Sequence, residues 1–211
     1  MELKDQLKKA LEELRKENEK RKFIQSIDLI INLQKFDLKK NSINIFVQVP
    51  YKIKDKKICG FLESKNKKIE TITKDEFQKY AREKNKLKKL TKNFDFFIAQ
   101  ASLMPAVATA FGRALGPLGK MPSPQLGIIM NVDDKTITEL IEKINKSVKI
   151  RTKESSIKVA IAKETMKDEE VIENILVVYN SILKNLPRNK ENIKNIEIKL
   201  TMSKPKKIII K

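Results

Sequence analysis

Apolar residues recur along this chain at two periods, and the switches between them outline its elements. Leu3, Leu7, Ala10, Leu11 and Leu14 stand at helical spacing, which predicts an amphipathic helix over residues 2–21. Strands are predicted over 22–33 and 42–49, where Pro50 interrupts the run VQVPYKIK. From about residue 57 strands alternate with helices. The order is strand KICGFLE, strand KIETIT, a lysine-rich helix beginning near Lys74, strand FDFFIAQ, a helix over Met104–Leu115, strand GIIMNV and a helix from Lys135. Asp133 and Asp134 precede that last helix, where capping fits better than paired-carboxylate catalysis. Beyond about Lys146 the strand-rich pattern returns, with VKIRTK and SSIKVAIAK reading as a strand pair. Val171, Ile172, Ile175, Leu176, Tyr179, Ile182, Leu183 and Leu186 then form one helical stripe, and Ile196, Ile198, Leu200 and Met202 alternate as a final strand.

Strands alternating with helices imply parallel pairing and a three-layer unit. The strands before residue 56 and after residue 146 are too few to make two separate sheets. The economical fold is therefore mixed α/β and α+β: residues 1–55 and 147–211 make one discontinuous α+β domain, and residues 56–146 form an inserted three-layer, Rossmann-like α/β domain. Chain crossings near 50–56 and 146–149 would act as a hinge.

One segment breaks the periodic pattern. Four of the five glycines and four of the seven prolines lie in PAVATAFGRALGPLGKMPSPQLG, from Pro105 to Gly127. Gly116, Gly119 and Lys120 suggest a phosphate cradle, but a Walker loop would need glycine at Ala114 and a hydroxyl at Met121. The spacing of Gly112, Gly116 and Gly119 also fails the dinucleotide fingerprint. What remains is a rigid capped turn, in which Gly116 ends the helix and Pro117 stops it.

Charge narrows the partner. Lysine and arginine number 46 against 27 acidic residues, a net charge of +19 that suits a polyanion. Forty of the 46 are lysine, and flexible point charges favour phosphate attraction over the bidentate base reading typical of arginine. The division of charge does not select a domain: the discontinuous part and the insert are almost equally basic per residue, and the cluster Lys84, Lys86, Lys88 and Lys89 reads as a solvated helix face. No run is apolar enough to span a bilayer, no signal peptide pattern is present, and a single cysteine excludes an intramolecular disulfide. Cys59, within ICGFL, reads as a buried inert thiol. With no histidine, the commonest general base and most zinc sites are absent, so no catalytic group, metal or cofactor is expected. An enzyme built on carboxylate or lysine, with the Gly/Pro loop as phosphate site, remains the main rival reading. A DNA regulator would need a recognition helix or sustained heptads, and neither pattern is present.

The run LGPLGKMPSP, after an apolar strand and a short helix, resembles the signature of the family of large-subunit ribosomal protein number one, the protein of the mobile ribosomal stalk. Leu115, Gly116, Pro117, Gly119, Met121 and Pro122 match it, Lys120 gives the form Gly-Lys-Met-Pro typical of the archaeal branch, and Leu118 replaces the usual arginine. The resemblance implies the same discontinuous layout. It also implies binding of large-subunit ribosomal RNA at the stalk, release of exit-site tRNA, repression of the protein's own mRNA and a cytoplasmic, ribosome-bound location, with a monomer off the ribosome. By the same resemblance the RNA contacts are Lys22, Phe23, Ser26 and Asp28 near the N-terminus and Thr201 and Met202 of a Thr-Met turn near the C-terminus. Ser203 stands where the family has glycine, and Lys204 precedes the proline. Lys204, Lys206 and Lys207 would then supply phosphate attraction, while Arg151, Lys158 and Lys163 flank the site and Ala162 replaces a frequent glycine. In chemical terms Phe23 can stack on a base or ribose, though a core role fits it equally, Thr201 can bond a 2′-hydroxyl or phosphate, and Met202 offers apolar packing.

Overall fold

A computed structural model of the protein describes residues 3–17, 21–38, 40–130 and 132–208, apart from the side chain of Lys84. Residues 2, 18–20 and 131, which the predicted first helix and the strand GIIMNV include, lie outside the described residues. The chain forms two compact units, Met1–Lys54 with Lys146–Lys211, and Asp55–Asn145.

The first unit is built around strand β1 (Ser26–Leu33), whose alternating pattern sends Ile27, Leu29, Ile31 and Leu33 into the core. β1 pairs antiparallel with β8 (Ser156–Lys163) on one side and β9 (Ile193–Leu200) on the other. With β10 (Lys206–Ile208) at the edge, the sheet order is β10-β9-β1-β8. Helix α1 (Leu3–Glu17) packs Leu7, Ala10, Leu11 and Leu14 into this core, and α6 (Asp168–Asn185) adds Val171, Ile172, Ile175, Tyr179 and Ile182. A separate two-stranded sheet joins β2 (Asn44–Gln48) to β7 (Ser147–Arg151).

Three expectations change here. VKIRTK and SSIKVAIAK do not pair with each other: β7 pairs with β2 and β8 with β1, because each finds a partner from the N-terminal segment that exposes a matching apolar face. Met202 lies in a turn beyond the end of β9 at Leu200. Residues 147–149, expected as part of a chain crossing, belong to β7 and pair with β2. Both crossings are tied down within this unit. The Val49 N–H donates to the Lys146 carbonyl at 2.7 Å, and the buried Asn174 side chain accepts from the Tyr51 N–H and donates to the Tyr51 and Ile161 carbonyls, each at 3.1 Å.

The second unit has a four-stranded, all-parallel sheet in the order β4-β3-β5-β6, from β3 (Ile58–Phe61), β4 (Glu70–Ile72), β5 (Phe96–Gln100) and the two-residue β6 (Ile128–Ile129). The predicted lysine-rich helix is two helices, α2 (Lys74–Arg82) and α3 (Lys84–Asn93). With α4 (Met104–Leu118) they enclose an aromatic cluster, in which Phe61 lies 4.7 Å from Phe111 and meets Phe77 edge-on at 5.7 Å. Such ring pairs contribute roughly 0.5–1.5 kcal/mol each beyond area burial. Helix α5 (Asp134–Asn145) buries Ile137 and Ile144 apart from that cluster and so serves the opposite face, giving three layers. Asp133 caps α5 through its carbonyl, which accepts from Ile137 N–H at 3.0 Å; the Asp134 carboxylate instead accepts from the Asn66 amide at 2.9 Å.

The signature segment corrects the predicted helix end. α4 continues through Pro117, whose fixed φ is helical and whose missing N–H costs the last turn one bond. Gly119, at φ 68° and ψ 23°, takes the left-handed position. Its N–H donates to the Gly116 carbonyl at 2.9 Å and the Lys120 N–H to the Leu115 carbonyl at 3.0 Å, the paired bonds of a Schellman cap. A Cβ at Gly116 would meet nothing within 4 Å. Gly116→Ala is therefore expected to raise stability by about 0.5–1 kcal/mol, and Gly119→Ala to lower it by about 1–2 kcal/mol. Urea unfolding midpoints moving in opposite directions would bear this out; equal losses would mean that Gly116, too, is required by the fold.

Candidate nucleic-acid interface

The antiparallel register brings several of the expected residues to one end of the first unit's sheet. Ser26, first in β1, lies opposite Lys163, and the Lys163 ammonium donates to the Ser26 hydroxyl at 3.0 Å. On the other flank the Ser26 N–H donates to the Thr201 hydroxyl oxygen at 3.0 Å. The turn that follows β9 is thus laced to the start of β1. Phe23, Ile24 and Met202 remain 52%, 60% and 61% exposed, although each is large and apolar. Lys22 and Lys204 are exposed beside them in sequence. An apolar group ringed by ammonium groups fits a ligand with both stacked faces and phosphates.

Gln25, which no sequence motif singles out, organises the site. It is fully buried between the exposed Ile24 and the turn. Its side-chain oxygen accepts from the Met202 N–H at 3.1 Å, while its backbone exchanges bonds with Glu164: N–H to carboxylate at 3.2 Å, and carbonyl from the Glu164 N–H at 2.9 Å. Its Nε2 has no partner among the described residues, a cost the fold accepts in order to keep the oxygen aimed at the turn. The sequence carries one signal for this role: Gln25 occupies a core-parity position immediately ahead of an alternating strand.

Asp28 lies two residues further along β1, paired across the sheet with Lys199 and Ala160. Burial holds its carboxyl above the ordinary value, and the charges of Lys199 and Lys163 pull it back down. With the pKa raised, the stability this group contributes is fully present below the ordinary carboxylate range and is lost as pH rises.

Other expected contacts are used differently. The Ser203 hydroxyl accepts from the Leu200 N–H at 2.8 Å and so closes the turn from inside, a role the family's glycine could not fill. Lys206 donates to the carboxylate of Glu17 and lies 3.5 Å from that of Glu13, which ties the edge strand to α1. Lys158 pairs with Ile30, about 13 Å along the strand from Ser26, and meets Glu154 at 3.4 Å. Arg151 stands on the other sheet, opposite Asn44, and its charge acts on Lys149, whose pKa is lowered first by burial and then by Arg151. The structure gathers neither Lys158 nor Arg151 with the turn.

In the signature loop, the Lys120 ammonium donates to the Thr91 and Phe94 carbonyls, both at 2.7 Å, and so caps the C-terminal end of α3. That side chain braces the signature loop against α3. Met121 packs against the aromatic cluster and Pro122 is buried. In open parallel sheets ligands sit at the strand carboxyl ends where the order reverses, here between β3 and β5. That point is bridged by the protein itself: the Glu63 N–H donates to Gln100, and the Ser102 hydroxyl donates to the Glu63 carboxylate at 2.8 Å. A cavity of about 350 Å³ opens elsewhere, between β6 and α5, and no residue of the Gly116–Pro122 loop lines it. The Cys59 thiol is fully buried and pushed up to about 12 by that burial, which leaves it inert as a nucleophile. Among the described residues no helix is long and apolar enough to cross a membrane, and no group of three acidic or cysteine side chains could hold a metal.

Comparison with known proteins finds relatives along nearly the whole chain. The chain is 35% identical over 212 residues to the large ribosomal subunit protein uL1 of Pyrobaculum islandicum, covering 96% of this chain and 92% of that protein. It is 39% identical over 201 residues to the protein of the same name from Thermofilum pendens, covering 90% and 86%. For that of Nanoarchaeum equitans the figures are 35% over 209 residues, 94% and 95%. Residues 14–204 match the ribosomal protein L1p/L10e family, and it is to this family that the chain belongs.

Proposed function

We propose that this protein is a non-enzymatic, structural component of the large ribosomal subunit in the cytoplasm, and that it grips ribosomal RNA of the mobile stalk with the Thr201–Met202 turn and the start of β1. The observation that carries the reading is the exposure of Phe23, Ile24 and Met202 around a turn fixed by Gln25 and Thr201, with Lys22, Lys163 and Lys204 nearby. The aromatic and thioether groups pack on bases and riboses that a stalk hairpin splays out, and the lysines meet its phosphates. From its stalk position the protein assists release of deacylated tRNA from the exit site. A leader segment of its own message that copies the hairpin is bound the same way and shuts down translation. Family membership and the net charge of +19 support this reading.

A footprint of the purified protein on total ribosomal RNA tests it. One protected hairpin in large-subunit RNA is expected. Affinity for that hairpin should fall with salt, each neutralised phosphate adding roughly 0.7–0.9 to the slope of log affinity against log salt. Equal competition by duplex DNA, or a flat salt dependence, would sink the proposal.

A further inference from the structure

Helix α3 carries five lysines and no acidic residue, and its side-chain pattern separates two faces. Leu90 and Thr91 are buried and Leu87 packs against the aromatic cluster, whereas Lys88, Lys89 and Lys92 are exposed together on the opposite face with Asn85 and Asn93. The helical regions α1, α2, α5 and α6 mix both signs along their length. α3 itself supplies no acidic partner; of the acids that flank it, Glu83 meets Lys86 at 2.8 Å and Asp95 accepts from the Lys57 N–H at 3.3 Å. Lys88 and Lys92 stand one turn apart, with Lys89 between them, so like charges repel across i,i+3 and i,i+4. Capping does not account for them, because the Thr91 and Phe94 carbonyls at the helix end are already held by Lys120.

We propose that this face of α3 is a second docking surface, one that takes the phosphate backbone of duplex RNA without regard to sequence. The repulsion among the three lysines is a standing cost that a polyanion removes. The chemistry of the face selects the kind of polyanion. Lysine ammonium groups on flexible stems meet phosphates as point charges, whereas base reading would call for the planar fork of arginine. No aromatic side chain accompanies them on α3 for stacking single-stranded bases, and its leucines face the core, so the helix offers nothing to insert into a lipid surface. The surface lies in the unit that lacks the Thr201 turn, and the inference does not rest on that turn being an RNA site.

The test uses the full chain carrying Lys88→Gln, Lys89→Gln and Lys92→Gln, with an arbitrary 20-base-pair RNA duplex as probe. Between 50 and 200 mM salt the slope of log affinity against log salt should become shallower by about 2, since each lost phosphate contact contributes roughly 0.7–0.9. Affinity at the low-salt end should fall at least tenfold. Thermal stability should hold or rise, because the repulsion is gone. The matching triple arginine variant should keep the parent's slope. It also serves as the control should the glutamine variant fold poorly, since reduced duplex binding by the folded arginine variant would count against a pure charge role. A Thr201→Ala variant should leave the duplex slope where it was, which separates this surface from the turn. An unchanged slope in the folded glutamine variant would overturn the proposal. So would a larger loss of binding to polyglutamate or to phosphatidylserine vesicles than to the duplex, which would assign the face to an acidic protein or a lipid surface.

Discussion

Thr201→Ala is expected to weaken binding of a stalk-type RNA hairpin by roughly 5- to 150-fold, equivalent to about 1–3 kcal/mol. The Thr201 oxygen is the acceptor for the Ser26 N–H at 3.0 Å, so alanine leaves the first amide of β1 unpaired just where the turn must be held against the sheet. The exposed hydroxyl is also the group that would bond a ribose or phosphate, so one truncation removes both the contact and its positioning. Thr201→Ser keeps the oxygen and should keep most of the affinity. Gln25→Ala should act through the turn alone: it strands the Met202 N–H, loosens the apolar contact and weakens the hairpin by about tenfold, while the salt slope stays put. Ser203→Gly restores the family's residue but removes the oxygen that accepts from the Leu200 N–H, so a loss of about 1 kcal/mol in turn stability should offset any closer approach of RNA. Titration of one labelled hairpin, with circular dichroism as a folding check, measures all four variants. A folded Thr201→Ala protein that binds like the parent would show that recognition lies elsewhere.

The fold was legible wherever one local period governed. The stripes of α1 and α6 and the alternation of β1 could be read because each buries a single face against a single core. Pairing was less legible, since β7 and β8 are consecutive in sequence yet seek different N-terminal partners, a choice made by long-range contacts. Two glycines three apart, either of which could end α4, left the cap ambiguous, and only the left-handed φ of Gly119 decides it. β10 is not legible in the sequence because three residues of a lysine-rich tail carry too little alternation. At the site, the motif residues were readable by resemblance and their bonding was not. Lys120, Lys206 and Ser203 look like ligand groups in one dimension, and their partners Thr91, Glu17 and Leu200 are found only in the folded chain. Phe23 illustrates the converse. Strand parity would bury it along with Gln25 and Ile27, but β1 begins at Ser26, and upstream of it the backbone releases Phe23 to solvent.

Removing residues 55–145 and joining Lys54 to Lys146 through a short glycine linker should leave a folded, RNA-binding protein. The two hydrophobic clusters share no residue, and the first draws all its members from the two ends of the chain. β1 needs β8 and β9 on its flanks and β2 needs β7, so neither end folds alone, and every strand partner comes from the two ends of the chain. The 2.7 Å bond from the Val49 N–H to the Lys146 carbonyl holds the two crossings side by side, and a linker of a few residues adds little closure entropy. The shortened chain should unfold in one cooperative step and bind the stalk-type hairpin within about tenfold of the parent, the residual loss being the salt-dependent share contributed by α3. The isolated fragment 55–145 should show only weak, sequence-indifferent binding that vanishes at high salt. If that fragment instead protects the hairpin and the shortened chain, though folded, does not, recognition belongs to the parallel-sheet unit and the Thr201–Met202 turn is merely a well-braced corner of the sheet.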